Sequence, residues 1–174
     1  MTSHTLIVLR HAKTEPLTSG PLASGARTDQ DRGLTARGHH DAAVAGAWLA
    51  EQSLRPDLVL CSPARRTRQT WHDVAIAIAE AAGGSGARVE YAHDLYGSTR
   101  QATLDLLAGT AEAVDTVLVI GHNPTLSELS AGLDPERGEA LRTCGIAVHD
   151  VPGRWADLAG SGAPLRLAHT PRAD

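Results

Sequence analysis

Short aliphatic runs alternate with longer amphipathic stretches along most of the chain. Thr5 to Leu9, Asp57 to Cys61, Arg88 to Tyr91 and Thr116 to Ile120 have the length and β-branched, aliphatic character of buried strands. Between them the pattern lengthens to a helical period. Thr35 is placed to cap a helix running to about Gln52, with Gly38, Ala42, Ala45 and Leu49 on one face, although Gly46 inside it weakens the pattern. Ser62 is placed to cap a second helix running to about Ala82, with Thr67, Trp71, Val74, Ile78 and Ala81 recurring on one side. A third helix covers Arg100 to Ala108, and a fourth starts near Thr125, directly after Pro124.

After Asp134 the period changes. Ile146 to Asp150 and Leu165 to His169 read as two further strands, joined through Pro152-Gly153 and the Gly160-Ser161-Gly162 turn. Glycine-rich Gly83 to Gly86 follows a helix and precedes a strand. That is the reverse of the order that cradles a phosphate, so it reads as a plain turn. Strands alternating with helices predict an α/β fold, a three-layer α/β/α sandwich around a mostly parallel central sheet. No internal repeat or linker divides the chain, and 174 residues fit a single domain, 1–174, with one core.

Composition narrows the function classes. With 16 basic against 20 acidic residues the net charge is -4, and aromatics make up 3% with no Phe. Neither a surface basic throughout nor a set of stacking platforms is available, so no nucleic-acid partner is expected. Lys13 is the only lysine; the other basic residues are arginine, the planar and permanently charged fork suited to phosphate. Cys61 and Cys144 are too few and too far apart for a disulfide framework or a zinc site, and read as buried thiols of a reducing compartment. Leu6 to Leu9 is too short for a signal-peptide core, and no run approaches the roughly 18 apolar residues of a membrane span. The expectation is a cytoplasmic protein with no membrane partner.

In open α/β sheets ligands bind outside the carboxyl ends of the strands. The first strand runs into Arg10-His11, the second into Cys61-Ser62-Pro63-Ala64-Arg65-Arg66, and the fourth into Gly121-His122-Asn123-Pro124. Two histidines and at least two arginines then converge on one edge. Taken singly, a histidine after a strand is by default a polar surface or satisfied core residue, and arginines on a first helical turn are a solvated face. Yet Arg65, Arg66 and Arg68 sit where the helix dipole disfavours cations, a conflict that an anionic ligand would resolve. His39 and His40 are adjacent and point to different sides of a helix, and no carboxylate cluster has a ligand context, so no metal or cofactor is expected.

Four ordered motifs carry a family resemblance. Leu9-Arg10-His11-Ala12, Asp31-Arg32-Gly33-Leu34-Thr35-Ala36-Arg37-Gly38, Ser62-Pro63-Ala64-Arg65-Arg66-Thr67-Arg68-Gln69-Thr70 and Gly121-His122-Asn123-Pro124 together resemble the histidine phosphatase superfamily. The short length and the Ser-Pro form of the third motif are similar to its smallest branch, the SixA-type phosphohistidine phosphatases. The likeness runs in order from about Thr5 to His169. It implies a phosphoglycerate mutase-like fold in which His11 is the nucleophile, transiently phosphorylated on its ring. Arg10 matches the arginine before it, His122 the second histidine, and Arg66 the arginine four residues before Thr70, with Arg65 competing for that role. Arg32 and Asn123 are implied as substrate-binding. Ala12 stands in the family's glycine position, so the turn there is expected to keep a negative φ.

These roles are chemically coherent. A histidine nucleophile must be neutral, with its second nitrogen held by a donor-to-carbonyl bond. A transferring phosphoryl group needs positioning and charge stabilisation, which arginine forks and a protonated His122 would supply. Larger relatives place a carboxylic acid near the segment that here reads Asp94-Leu95-Tyr96-Gly97-Ser98, where Asp94 is the only carboxylate. An alkoxide leaving group needs such an acid, whereas the imidazole leaving a phosphoramidate does not. The resemblance therefore implies a metal-independent phosphatase that dephosphorylates phosphohistidine on a protein, for example a histidine phosphotransfer domain. Two alternatives stand beside it: a phosphomonoesterase of small phosphate esters with Asp94 as acid, and a catalytically silent phosphate-binding module.

Overall fold

The structure, a computed structural model, describes residues 3–16, 28–84, 86–138 and 140–171. Its centre is β1 (His4–Arg10), whose Leu6 to Leu9 are all fully buried. On one side β1 pairs in parallel with β4 (Thr116–Gly121), and on the other antiparallel with β5 (Ile146–Val151). Adding β2 (Leu58–Cys61), β3 (Arg88–Tyr91) and β6 (Leu165–His169) gives a six-stranded sheet of order β3-β2-β4-β1-β5-β6. β5 runs antiparallel to both of its neighbours, and the other strands share one direction.

Alternation along the strands divides the core in two. Leu6, Val8, Leu58, Leu60, Val117 and Val119 face α3 (Arg100–Ala108), α4 (Thr125–Leu133) and the short α5 (Leu158–Ser161). Ile7, Leu9, Val59, Cys61, Leu118 and Ile120 face α1 (Ala36–Glu51) and α2 (Arg65–Ala82). The three-layer α/β/α architecture follows from that division. The third strand departs from expectation. β3 lies at the sheet edge with Arg88, Glu90 and Tyr91 exposed, because only one neighbour covers it.

α1 begins as its sequence predicts, with the Thr35 hydroxyl accepting from Gly38 N at 3.0 Å. Gly46 has a packing reason: a Cβ there would lie 2.5 Å from the Val74 carbonyl oxygen and 2.8 Å from the Ala77 Cβ, so α1 and α2 approach closely only because it is glycine. α2 ends at Ala82 as expected but differs at its start and in the burial of its last turn. Its N-cap position is Ala64, which has no polar side chain to cap with, and the Ser62 hydroxyl two residues earlier accepts from Ala64 N at 3.4 Å and meets His122 at 2.7 Å. Near its end Ala81 is exposed, and Gly83 stops the helix in the left-handed conformation at φ 82°. Arg66, Thr67 and Thr70 lie on its buried face, so the second of the three arginines is not part of a solvated surface. Among the described residues, no helix is long and apolar enough to cross a membrane.

Candidate active site

Three neighbouring strands deliver the central residues. β2, β4 and β1 end in register, with Cys61 opposite Ile120 and Arg10 opposite Gly121. The residues that follow them, Ser62, His122 and His11, therefore emerge side by side. His11 N bonds to the Gly121 carbonyl at 3.1 Å and Ser62 N to that of Ile120 at 3.0 Å, which continues the ladder into the site. The His11 and His122 rings are 5.4 Å apart, and Ser62 Oγ is 2.7 Å from His122 Nε2.

The hydrogen bonds of His11 fix its tautomer. Nδ1 lies 2.8 Å from the Ala12 carbonyl oxygen, which can only accept, so Nδ1 carries the proton and Nε2 the lone pair. The Thr14 hydroxyl donates to the same carbonyl at 3.0 Å and lies 3.2 Å from Nδ1. Thr70 holds the loop from the other side. Its hydroxyl donates to the Arg66 carbonyl at 2.7 Å and accepts from Ala12 N at 3.0 Å, so the spacing of four between Arg66 and Thr70 joins one turn of α2 to the histidine loop. Among the described residues the positive φ values of non-glycine residues fall at Ser53 and Cys144, and Ala12 is not among them.

Arg10 and Arg66 bring charge to this point. Arg10 Nη1 donates to the Leu141 carbonyl at 3.1 Å. Arg66 is 5% exposed and gives Nη1 to the Asp29 carbonyl at 2.8 Å and Nη2 to Asp29 Oδ2 at 3.2 Å. Both keep a buried Nε without a protein partner, as does Nδ1 of His122. Buried polar groups are nearly always satisfied. Two unsatisfied guanidinium N–H groups whose charges act on His11, with an unpaired ring nitrogen of His122 near them, make a site whose missing partner is an acceptor of hydrogen bonds and an anion.

Electrostatics points the same way. Burial lowers the pKa of His11 to about 4, with the Ala12 carbonyl opposing and Arg66, Arg10 and Arg32 adding to it. Burial, then Arg66 and His11, lowers His122 to about 3. Both imidazoles are neutral at pH 7. For His122, expected to be protonated when it meets a phosphoryl group, a further charge in a buried pocket already holding guanidinium ions is the costly form until an anion offsets it. The neutral ring still offers one N–H.

The other expected residues are placed as follows. Arg32 lies within the cluster, with Nε and Nη2 on Asp29 Oδ1 at 3.0 and 2.8 Å and Nη1 on the Glu15 carbonyl at 2.9 Å, which uses three of its five N–H groups. The Asn123 amide donates to the Leu141 carbonyl at 2.7 Å, and its oxygen accepts from Ser127 N and Oγ, so it ties α4 to the loop that also holds Arg10. Asp94 is exposed, and the contacts that join the cluster do not include it. From that same segment Tyr96 reaches in, with its ring edge-on to His122 at 5.7 Å and its hydroxyl donating to Asp29 Oδ2 at 2.7 Å.

Asp29 is the residue that the sequence reading missed. Burial pushes its carboxyl upward, but the Tyr96 and Arg32 hydrogen bonds and the Arg66 charge outweigh this and bring it to about 2. Its spacing of three before Arg32 was the available signal. Ser62 was visible but read as a helix cap, and nothing in the pattern singled out Tyr96. Among the described residues no three His, Cys, Asp or Glu side chains gather closely enough to hold a metal ion. The Cys61 and Cys144 thiols, each pushed up to about 12 by burial, are not nucleophiles at neutral pH.

The family model of the histidine phosphatase superfamily, branch 1, matches residues 6–95, which take in most of β1 and His11, Arg32, Arg66 and Asp94. The chain belongs to the histidine phosphatase superfamily. An uncharacterized protein of Mycobacterium tuberculosis is 37% identical over 154 residues, covering 83% of this chain and 92% of its own. A structure assigned as the phosphohistidine phosphatase SixA of Nakamurella multipartitia superposes with a TM-score of 0.82 at 32% identity, covering 99% of both chains. A second SixA structure, from Agrobacterium tumefaciens, gives 0.77 at 26% identity, covering 97% of this chain and 99% of that one. Within the histidine phosphatase superfamily the chain is therefore of the SixA type, and its fold is phosphoglycerate mutase-like.

Proposed function

We propose that this protein removes phosphate from phosphohistidine on a protein, without a metal, through a phosphohistidine intermediate on His11. The observation that carries this reading is the pair of buried guanidinium donors without protein partners, Arg10 Nε and Arg66 Nε, with the unpaired His122 Nδ1, around an imidazole that is neutral and held by Ala12. His11 Nε2 attacks phosphorus as the phosphorus–nitrogen bond of the substrate breaks. The electron pair goes to the leaving imidazole, which departs as a neutral ring because its other nitrogen already carries a proton taken from solvent. Water then attacks the phosphoenzyme, releases inorganic phosphate and a proton, and restores His11. Positioning plus charge stabilisation is the main requirement of such a transfer.

The state of Asp29 favours phosphohistidine over an ordinary ester. Alkoxide leaving groups need a general acid, and positioned acids contribute about 10²–10⁴-fold. Asp29 is the carboxylate bonded into the cluster, and at about 2 it is ionised at pH 7 and has no proton to give. An imidazole protonated from solvent on its other nitrogen leaves as a neutral ring without such help.

Turnover of a phosphohistidine peptide, compared with a panel of sugar phosphates, tests the reading. The expected result is release of phosphate from the peptide with kcat/KM at least about 10²-fold above that for any ester in the panel. Turnover of the sugar phosphates alone overturns it in favour of a small-molecule phosphomonoesterase. No turnover of either overturns it in favour of a phosphate-binding module.

A further inference from the structure

Beside the catalytic loop, on its outer side, lies a hollow of about 450 Å³ that no step of the proposed reaction uses. Lys13, Arg37 and Arg142 line it, all exposed, together with Thr143 and Thr170. Among the described residues of its lining Asp41 is the one carboxylate, but it is buried and its Oδ2 faces Arg37 Nε at 3.6 Å, so the surface they present to solvent is cationic. On the other flank of the first turns of α1 a second hollow, of about 310 Å³, is lined by His39, Arg65 and Arg68 with Gln69 and His72. The acid near it, Asp73, faces His39 at 2.6 Å. This chain carries a net charge of -4, and its only lysine stands in this band. A concentration of cations on an otherwise acidic protein is a local feature and not a consequence of composition.

The band is joined to the site by backbone. Lys13 is two residues beyond His11, and its carbonyl accepts from Thr35 N at 2.9 Å at the start of α1. Arg142 follows Leu141, whose carbonyl takes both Arg10 and Asn123, and Cys144 N bonds to the His11 carbonyl at 3.0 Å. The band and the catalytic histidine are therefore carried by the same loops.

Resting on the reading of the site as a phosphohistidine phosphatase, we propose that Lys13, Arg37 and Arg142 form a docking surface for an acidic face of the phosphorylated protein substrate. The cations are spread over two hollows and a helical turn, which suits several carboxylates on one surface and not a single small anion. Thr143 and Thr170 add hydroxyls that can donate to carboxylates. Exposed pairs of this kind are individually weak, and their effect lies in steering and orienting the partner, with on-rates raised by about 10-fold or more at low salt.

Two synthetic peptides carrying the same phosphohistidine, one flanked by glutamates and one by glutamines, separate this proposal from the reading beneath it. Wild type is expected to process the acidic peptide with kcat/KM about 10-fold higher in about 0.05 M salt, and the preference is expected to vanish near 0.5 M. Lys13→Glu combined with Arg142→Glu removes the preference while the glutamine peptide is turned over at the wild-type rate. The milder pair Lys13→Gln with Arg142→Gln gives an intermediate preference and guards against misfolding of the first. Binding of the unphosphorylated acidic peptide, read by fluorescence anisotropy, reports docking independently of chemistry. Wild-type binding that both variants weaken supports the docking surface even if neither phosphopeptide is turned over, which would instead sink the phosphatase reading. Equal rates for the two peptides in wild type, or acidic-peptide binding unchanged in both variants, overturns the docking surface whatever the turnover.

Discussion

Asp29 holds Arg66 through two of its own atoms, the carbonyl oxygen at 2.8 Å from Nη1 and Oδ2 at 3.2 Å from Nη2. The same carboxylate takes Arg32 on its other oxygen and Tyr96 on Oδ2. Arg66 is thus fixed at its tip while its buried Nε lacks a protein partner. The arrangement orients a guanidinium before any ligand arrives, at the cost of placing a negative charge close to where a phosphoryl group would bind.

Asp29→Asn separates these two effects. Loss of the charge strengthens anion binding, so the inhibition constant of inorganic phosphate is expected to fall several-fold. Loss of the charge-assisted bonds loosens Arg66, and kcat is expected to fall by about 10-fold or more, since small misplacements of a positioning group cost up to about 10². Steady-state kinetics with phosphate as inhibitor reads both, and a variant changed in neither would deny Asp29 any part in the site.

Acid pH tests the neutral state of His11. Its pKa of about 4 lies below the ordinary 6.5, so the lone pair persists well into the acid range. The acid limb of kcat/KM is expected near pH 4, and a limb near 6.5 would place His11 in a solvated setting. Stability moves with the same sign. Below 6.5 the unfolded chain takes up protons that folded His11 and His122 refuse, so unfolding free energy falls as pH drops from about 6.5 toward 4. Urea unfolding across that range reads the slope.

Ser62 sets the orientation of His122 through a 2.7 Å bond. Ser62→Ala leaves the ring free to turn its N–H away from the anion site, and kcat is expected to fall about 10-fold, with stability reduced by only about 1 kcal/mol, the usual worth of one such bond. A loss of stability without a loss of kcat would make Ser62 a packing residue.

Gly46→Ala probes the fold away from the site. Alanine is ordinarily the better helix former, by about 1 kcal/mol. Here its methyl meets the Val74 carbonyl and the Ala77 Cβ, so a net destabilisation of about 1–3 kcal/mol is expected, with kcat of the folded protein unchanged. Thermal denaturation gives the sign directly.

Strand and helix positions were legible because each obeys a local rule. Runs such as Leu6 to Leu9 are buried on both faces, α1 carries a side-chain cap at Thr35, and α4 starts after Pro124. The direction of β5 was not legible, since strand pairing is settled by which edge remains open beside β1. His11 and His122 could be found because residues that follow adjacent parallel strands must converge. Asp29 and Tyr96 could not, because they meet across 67 residues through side chains alone, and only the folded chain places them against Arg66. Asp94 was chosen as the carboxylate of its segment, while the structure brings in the phenol two residues later.

The central claim is the covalent intermediate on His11, and trapping it is the most direct measurement. Protein quenched in alkali during turnover of a radiolabelled phosphohistidine peptide is expected to retain label that is stable to base, lost in acid and located on His11 by peptide mapping, while His11→Ala retains none. Turnover with no label on the wild-type protein, or label that survives in His11→Ala, would contradict the account.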